Sequence, residues 1–170
     1  MTEQLSSLAL QALAIVEESG AIISANHAHP HTIRHKGRID LVTETDIAVE
    51  AFLKERLAAL TPGAGFLAEE SAEDLRLPDT CWIIDPVDGT TNFAHGLPLT
   101  VTSVAYRLNG ETVLGIINAP LLRECYIAEK GKGAWRNGER ISVSSVAACE
   151  NALVATGFPY EIARRLWMKS

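Results

Sequence analysis

The sequence predicts an α+β fold in which helices pack on one side of a mostly antiparallel sheet. Segments with helical periodicity are confined to the first 60 residues, and from residue 101 onwards short apolar segments alternate with turns. Asn-Gly pairs at 109–110 and 137–138 each lie between two apolar segments, and this is the strongest short signal for a hairpin. Consecutive hairpins produce antiparallel neighbours, so we expect the helices to cover one face of the resulting sheet.

Two long helices are predicted near the start of the chain. Apolar residues from Leu5 to Val16 recur at intervals of three and four, which is typical of one helix face, and we expect this helix to end near Gly20 or soon after it. Its charged residues are all acidic, which favours a core helix over a membrane-surface helix. A second helix is predicted over 47–60, where Pro62 and Gly63 then stop it.

The remaining predicted elements are short strands rich in apolar residues. We place them at 40–45, 66–68, 81–84, 101–108, 112–118, 124–129, 134–136, 140–143 and 151–156. The polar segment 71–80 predicts a surface loop. The length of the chain favours a single compact unit.

Composition excludes some classes of function. The net charge is −6, whereas a protein that coats nucleic acid is usually basic, so nucleic acid is not an expected partner. Three cysteines without close spacing predict reduced core thiols and a cytoplasmic protein. The first basic residue is Arg34, and no apolar segment approaches the length of a bilayer span, so we expect neither a signal peptide nor a membrane partner.

A histidine-rich segment follows the first helix. His27, His29 and His31 alternate along it and could converge on Zn²⁺ if the segment were extended. No cysteine lies nearby and no acid lies between these histidines, so we interpret the segment as a solvated connector.

Acidic residues follow three of the predicted strands, and they are Asp46, Glu69, Glu70, Asp85 and Asp88. Asp, Pro and Gly are also common in ordinary turns, and Asp46 alone could be a helix N-cap. Three acidic strand ends together favour a metal site, because hard divalent ions such as Mg²⁺ bind oxygen ligands. The backbone N–H groups of Gly89 and Thr90 could then hold a phosphate.

Four segments resemble the inositol monophosphatase family of Mg²⁺-dependent, lithium-sensitive phosphatases. They are Lys36 with DLVTETD at 40–46, AEES at 68–71, WIIDPVDGTTNF at 82–93, and GKGAWRNG at 131–138. The segments have the order and spacing of the family. The resemblance implies a layered α-β-α-β-α sandwich, of which residues 1–170 would form the N-terminal, metal-binding part, and it implies that the loop with Lys36 is mobile and closes over the site.

Family members continue into a second half with a Trp-Asp-x-Ala-Ala-Gly type motif, whose Asp binds the second metal. This motif does not occur in the 170 residues, so we expect the C-terminal part to be missing from the sequence. One face of the sheet should then expose apolar surface, which predicts a sticky, oligomeric or unstable chain. Because dimers are common in the family, a homodimer is also expected.

The resemblance also implies the residues of the site. Two or three Mg²⁺ ions would bind, and their ligands would be Glu69, Asp85, the carbonyl oxygen of Val87, and Asp88. The catalytic residues would be Asp46, Thr90 and Glu69, with Thr90 and Asp46 orienting the attacking water and taking its proton. The substrate would contact Gly89, Thr90 and Asp88. Glu70 would support its neighbour Glu69.

The reaction implied is hydrolysis of a phosphate monoester of a small cyclitol or sugar, with inositol 1-phosphate as the default substrate. Relatives with the same metal core act on fructose 1,6-bisphosphate, adenosine 3′,5′-bisphosphate or histidinol phosphate, so these substrates stay open. A non-catalytic interaction module associated with transcription is the alternative from a different class.

Overall fold

The computed structural model describes residues 5–27, 33–35, 41–70 and 77–155, and within these ranges the chain forms three α-helices and nine strands. The helices are α1 (Ser7–His27), α2 (Glu44–Leu60) and α3 (Thr90–Ala94). The strands are β1 (Ile33–His35), β2 (Leu41–Thr43), β3 (Gly65–Ala68), β4 (Cys81–Asp88), β5 (Val101–Leu108), β6 (Glu111–Ala119), β7 (Glu124–Glu129), β8 (Gly133–Arg136) and β9 (Glu139–Ile141).

Strands β3 to β9 form one seven-stranded sheet in chain order, and β1 pairs with β2 in a separate two-stranded sheet. Within the seven-stranded sheet β3 and β4 are parallel, and the other neighbours are antiparallel. The α+β prediction is confirmed. Both Asn-Gly hairpins are present, with φ positive at each of these asparagines and glycines as a tight hairpin turn requires.

Helix α1 crosses the sheet at β6, and the crossing is tight. The side-chain amide of Asn118 donates to the carbonyl oxygen of Val16 at 3.0 Å. A Cβ atom at Gly20 would lie 2.6 Å from the Asn118 Nδ2 atom and 2.9 Å from the Pro120 Cβ atom. The prediction that the helix ends near Gly20 is therefore wrong: this glycine permits the close contact, and the helix continues to His27.

By length and composition alone, α1 is long and apolar enough to cross a membrane. The prediction that no apolar segment approaches the length of a bilayer span was therefore wrong. Its packing is that of a core helix. Ala12, Val16 and Ile23 are fully buried and belong to one apolar cluster with α2 and the sheet. The interpretation of this segment as a core helix agrees with that packing.

Helix α2 begins three residues before its predicted start. Thr43 is the N-cap, and its hydroxyl oxygen accepts the N–H of Thr45 at 3.2 Å. The Asp46 carboxylate accepts the N–H of Thr43 at 2.9 Å, which completes a capping box. The predicted strand over 40–45 is thus shortened to β2, because Glu44 and Thr45 already belong to the first turn of the helix.

The predicted strand over 151–156 is also wrong. Cys149–Asn151 form a 3-10 turn, and residues 152–155 have no regular secondary structure. Leu153 is fully exposed, since in the described part of the chain no strand lies beside it to complete a ladder. Thr156 lies outside the described residues, as do Lys36, His29, His31 and Asp40.

Two of the three cysteines agree with the prediction of core thiols. Cys81 and Cys125 are buried, Cys149 is exposed, and all three are free. Burial raises the pKa of the Cys125 thiol to about 12, so this thiol stays protonated at neutral pH.

The sheet has an apolar face that the three described helices do not cover. Side chains alternate along each strand, so Val104 and Ile116 enter the core while Ala105 and Ile117 point to the other side. There they line a groove of about 260 Å³ together with Tyr126 and others. Because Ile117 is 44% exposed, this face has the apolar surface that was predicted for one side of the sheet.

We expect this groove to make the 170-residue chain self-associate, and the change Ile117→Glu to reduce that association. A charge in the groove disfavours burial of the apolar face against a second molecule. Size-exclusion chromatography with light scattering measures the effect. Leu108→Glu is the matched control, because Leu108 is 40% exposed at the end of β5, outside the groove. A clean monomer of the unchanged chain would contradict the prediction.

Candidate metal centre

The parallel strands β3 and β4 bring two acidic residues to the same edge of the sheet. Ala68 is the register partner of Ile84, and the N–H of Glu69 donates to the carbonyl oxygen of Ile84 at 3.1 Å. Glu69 and Asp85 each come directly after these paired residues. Their carboxylates are therefore neighbours because both strands reach this edge in the same direction.

β4 extends beyond the predicted strand 81–84 and includes both acids of the signature segment. Asp85 and Asp88 lie three residues apart, whereas their partners on β5 lie two residues apart. One extra residue on one strand is a β-bulge, which redirects side chains. Pro86 fits this position because it has no N–H to contribute to the ladder. The acids thus belong to a bulged strand end rather than to the turn after a strand.

Two buried threonines of the next segment hold the bulge. The Thr102 hydroxyl donates to the Pro86 carbonyl oxygen at 3.0 Å, and the Thr100 hydroxyl donates to the Asp88 carbonyl oxygen at 2.9 Å. Both threonines are at most 1% exposed. Sequence reasoning missed them, although two threonines at alternate positions of a buried strand were a usable signal.

Asp46 and Thr90 connect α2 to the start of α3. Asp46 is 1% exposed, and its Oδ2 atom accepts both the N–H and the hydroxyl of Thr43. Its Oδ1 atom lies 3.1 Å from the Thr90 Oγ1 atom, which also lies 2.9 Å from the carbonyl oxygen of Val87. The N-cap is Thr43 and not Asp46. Asp46 contacts Thr43 through its Oδ2 atom alone, so its Oδ1 atom is available to Thr90.

Asp85 has an unusual protonation behaviour. Burial, followed by the charge and hydrogen bond of Glu69 and the charge of Asp88, raises its pKa to about 8, and the N–H of Val87 acts in the opposite direction. The Oδ1 atom of Asp85 is buried and has no hydrogen-bond partner among the described residues. A carboxylate in this position requires a positive charge nearby if it is to ionise.

The donor set suits a hard divalent cation. Carboxylates of Glu69, Asp85 and Asp88 and the carbonyl oxygen of Val87 are oxygen ligands of the kind that Mg²⁺ prefers. The buried Oδ1 atom of Asp85, which has no hydrogen-bond partner among the described residues, could also bind such an ion. Within the described ranges, no three His, Cys, Asp or Glu side chains already stand in a geometry that would hold a metal. Glu69 and Asp85 instead share a hydrogen bond, which a cation would replace.

The metal-free chain should lose stability as the pH rises from about 4 to about 8. In this window the folded state keeps the Asp85 proton and the unfolded state has released it, because the pKa is about 8 rather than 3.8, so folding is favoured less at each higher pH. Thermal unfolding in a chelator across this range measures the effect. Asp85→Asn should flatten this part of the profile, and an equally steep profile in that variant would contradict the prediction.

The turn between β4 and α3 depends on Gly89. Its φ is +91°, and a Cβ atom there would lie 2.8 Å from the carbonyl oxygen of Leu99. The side-chain amide of Asn92 donates to that same oxygen at 2.8 Å, which ties the following loop to the turn. Among the described residues, no side chain caps the first N–H groups of α3.

His95 and His27 are the histidines whose side chains the structure describes, and neither is one of the acidic metal-ligand candidates. His95, interpreted as a rim residue, is exposed, and its Nδ1 atom contacts the carbonyl oxygen of Thr91 at 2.8 Å. His27 belongs to the end of α1, and its ring centroid lies 5.8 Å from that of Phe93. The interpretation of His27 as part of a solvated connector is therefore wrong. Zinc binding by His29 and His31 stays a hypothesis outside the described residues.

Acids crowded at one edge of a helix-covered, mostly antiparallel sheet, with a Thr-Asp pair beside them, define a class of α+β proteins with a site suited to a divalent cation. The comparisons identify the family within this class. The model of the inositol monophosphatase family matches residues 4–166, and the chain belongs to that family. The resemblance inferred from the four sequence segments is confirmed.

Curated relatives carry several functional names. An inositol monophosphatase of Dictyostelium discoideum is 42% identical over 88% of this chain and 57% of its own length. A fructose-1,6-bisphosphatase/inositol-1-monophosphatase of Thermotoga maritima is 44% identical over 69% of this chain and 45% of its own length. A Nus factor SuhB of Salmonella typhimurium is 34% identical over 88% of this chain and 57% of its own length.

Solved structures agree with this assignment. The extragenic suppressor protein suhB of Bartonella henselae superimposes with a TM-score of 0.86 at 31% identity, over 96% of this chain and 64% of that protein. An IMPase/NADP phosphatase complexed with Mg²⁺ and phosphate gives a TM-score of 0.67 at 26% identity, over 75% of this chain and 49% of that protein. The chain thus spans 45% to 64% of the length of the proteins it matches here.

Proposed function

We propose that residues 1–170 are the N-terminal, metal-binding part of a Mg²⁺-dependent phosphatase that hydrolyses phosphate monoesters of small cyclitols or sugars. One observation carries this proposal: the buried Oδ1 atom of Asp85, beside Glu69 and Asp88, has no hydrogen-bond partner in the described ranges. Such crowding of carboxylates is unfavourable without a cation and is suited to binding one. The match to a relative that holds Mg²⁺ and phosphate supports it.

Two or three Mg²⁺ ions are proposed for the complete site. The ligands from this chain are Glu69, Asp85, the carbonyl oxygen of Val87, and Asp88. When bound, Mg²⁺ lowers the pKa of water, neutralises phosphate charge and stabilises the leaving alkoxide. A further acid for the second ion would come from outside residues 1–170 or from a partner chain.

Asp46 and Thr90 are proposed to orient the attacking water and accept its proton. The Thr90 hydroxyl has one proton and lies within reach of two acceptors, the Oδ1 atom of Asp46 and the carbonyl oxygen of Val87. We propose that its proton is directed toward Asp46, which leaves a lone pair of Thr90 to accept a hydrogen bond from water. Asp46 is held by two bonds from Thr43, so its orientation is set before substrate binds. Glu69 is proposed to assist this step from its place beside Asp85.

The turn at Gly89 is proposed to hold the phosphate. The left-handed conformation of Gly89 begins α3, so the N–H groups of Gly89 and Thr90 lie beside the acidic residues. Asp88 is exposed and is proposed to contact the substrate at the same edge.

Inositol 1-phosphate is the first candidate substrate. Fructose 1,6-bisphosphate and adenosine 3′,5′-bisphosphate are the related alternatives, and the name of the Thermotoga maritima relative supports testing the first of them. A cytoplasmic homodimer is proposed for the complete protein.

Phosphate release from these substrates tests the proposal, in a protein that joins residues 1–170 to the second half of a family member. Turnover should require Mg²⁺ and fall in Li⁺. Asp88→Asn should abolish turnover without unfolding the chain, whereas Asp79→Asn, an exposed acid in the loop before β4, should leave it unchanged. Retained turnover in Asp88→Asn would contradict the assignment.

An interaction module is the second candidate function. The exposed apolar groove with Ile117 and Tyr126 favours it, and one relative is named as a Nus factor. Under this alternative, a partner protein would bind equally well to the unchanged chain and to the Asp88→Asn variant. The Ile117→Glu variant would no longer bind that partner.

A further inference from the structure

Helix α2 carries a second buried acid that the proposed reaction does not use. Glu50 lies one turn after Asp46 on the same face, and it is 4% exposed. Its Oε1 atom is 3.9 Å from the ammonium of Lys54, which is too long for a strong hydrogen bond. A carboxylate that is buried this deeply requires a better partner than a half-exposed lysine.

That partner is the backbone of the segment that leaves β3. The Oε2 atom of Glu50 accepts the N–H of Glu70 at 2.8 Å. The preceding N–H, that of Glu69, donates to the carbonyl oxygen of Ile84 in β4 at 3.1 Å. Two successive amides are thus held by different elements, the first by the neighbouring strand and the second by the helix.

The position of β3 explains why this second contact matters. β3 is one of the two edge strands of the seven-stranded sheet, so in the described part of the chain it has a strand neighbour on one side. It is also four residues long, which gives it few ladder bonds. A hydrogen bond to a rigid helix fixes the strand end where a second strand neighbour would otherwise hold it.

We propose that Glu50 is a positioning residue of the metal centre, which holds the backbone of Glu70 so that the Glu69 carboxylate stays beside Asp85. This inference rests on the proposed function of that centre. Helix α2 then aligns both parts of the site, because Asp46 holds Thr90 and Glu50 holds the segment with Glu69.

Two conservative variants separate the hydrogen bond from the charge. Glu50→Gln keeps an acceptor oxygen at the same reach and removes the charge, whereas Glu50→Asp keeps the charge and shortens the reach by one methylene. A positioning role predicts that the first variant resembles the wild type and the second does not. Glu55→Gln is the matched control, since Glu55 is an exposed acid on the same helix.

Mg²⁺ binding to the 170-residue chain, measured by titration calorimetry, is the first measurement. We expect Glu50→Asp to lose about 10–100-fold in affinity, as is usual when a group that orients a metal ligand is removed. Glu50→Gln and Glu55→Gln should bind as the wild type does. Equal Mg²⁺ affinity in all variants would overturn the proposal. A loss of Mg²⁺ affinity in Glu50→Gln together with wild-type affinity in Glu50→Asp would overturn it as well.

Hydrogen exchange of the Glu70 amide is the second measurement, and it needs no metal. In the metal-free chain, exchange should be faster in Glu50→Asp and unchanged in Glu50→Gln, with thermal unfolding showing that both variants are folded. Unchanged exchange in Glu50→Asp would overturn the proposal. If the wild type bound no Mg²⁺, the proposed function would fail while the exchange data would still decide the role of Glu50.

Discussion

Asp85→Asn is expected to abolish Mg²⁺ binding and to lower turnover by about a thousandfold or more, because several kcal/mol of charge stabilisation by the metal would be lost. Asp85 is the acid whose buried Oδ1 atom has no hydrogen-bond partner among the residues that the structure describes, and its neighbours are Glu69 and Asp88. Asparagine has nearly the same shape but no charge, so it offers the cation one weak oxygen. The fold should survive, and above about pH 8 the metal-free variant should be more stable than the wild type, since no buried carboxylate has to ionise.

Two measurements check this expectation. Titration calorimetry with Mg²⁺ on the 170-residue chain reports binding, and kcat/KM for inositol 1-phosphate in the protein with a complete second half reports turnover. Asp79→Asn is the control for removing one acid from the chain. Wild-type Mg²⁺ affinity in Asp85→Asn would contradict the assignment of the metal centre, whatever the substrate proves to be.

Elements set by local patterns could be predicted from the sequence. The hairpin at Asn109 and Gly110 follows from two residues that tolerate positive φ between apolar segments. The close approach of Glu69 and Asp85 was anticipated because each follows an apolar strand. Their roles as ligands stay a prediction, since local sequence shows which donor types are present and not which ion they hold.

Features that depend on a distant contact were not predictable in this way. Gly20 looks like a helix stop in sequence, and only Asn118 on β6 shows why a glycine is needed within the helix. Glu50 has the sequence environment of an exposed i,i+4 partner of Lys54, yet its main bond is to the backbone of Glu70, 20 residues along the chain. The apolar residues near 153 suggested a strand, but strand formation requires a neighbour as well as a pattern.

Gly89→Ala is expected to reduce turnover by about a hundredfold, the order of loss that a displacement of about 1 Å can cause in a catalytic group. Two effects act at this position. An L-residue in the left-handed region costs roughly 1–2 kcal/mol, and the new Cβ atom would lie 2.8 Å from the backbone oxygen of Leu99. Because that oxygen belongs to the backbone, the turn that carries Thr90 or the segment with Leu99 must shift, and we expect the contact between Thr90 and Asp46 to be disturbed.

Gly63→Ala separates these two effects. Gly63 has a φ of +90°, nearly that of Gly89, and a Cβ atom there would meet nothing within 4 Å. Both variants should therefore lose about 1–2 kcal/mol in unfolding free energy from backbone strain, but Gly89→Ala alone should lose turnover. Unfolding by urea and kcat/KM for inositol 1-phosphate measure the two quantities. If both variants kept wild-type turnover, the turn at Gly89 would tolerate displacement, and its proposed role in holding phosphate would be wrong.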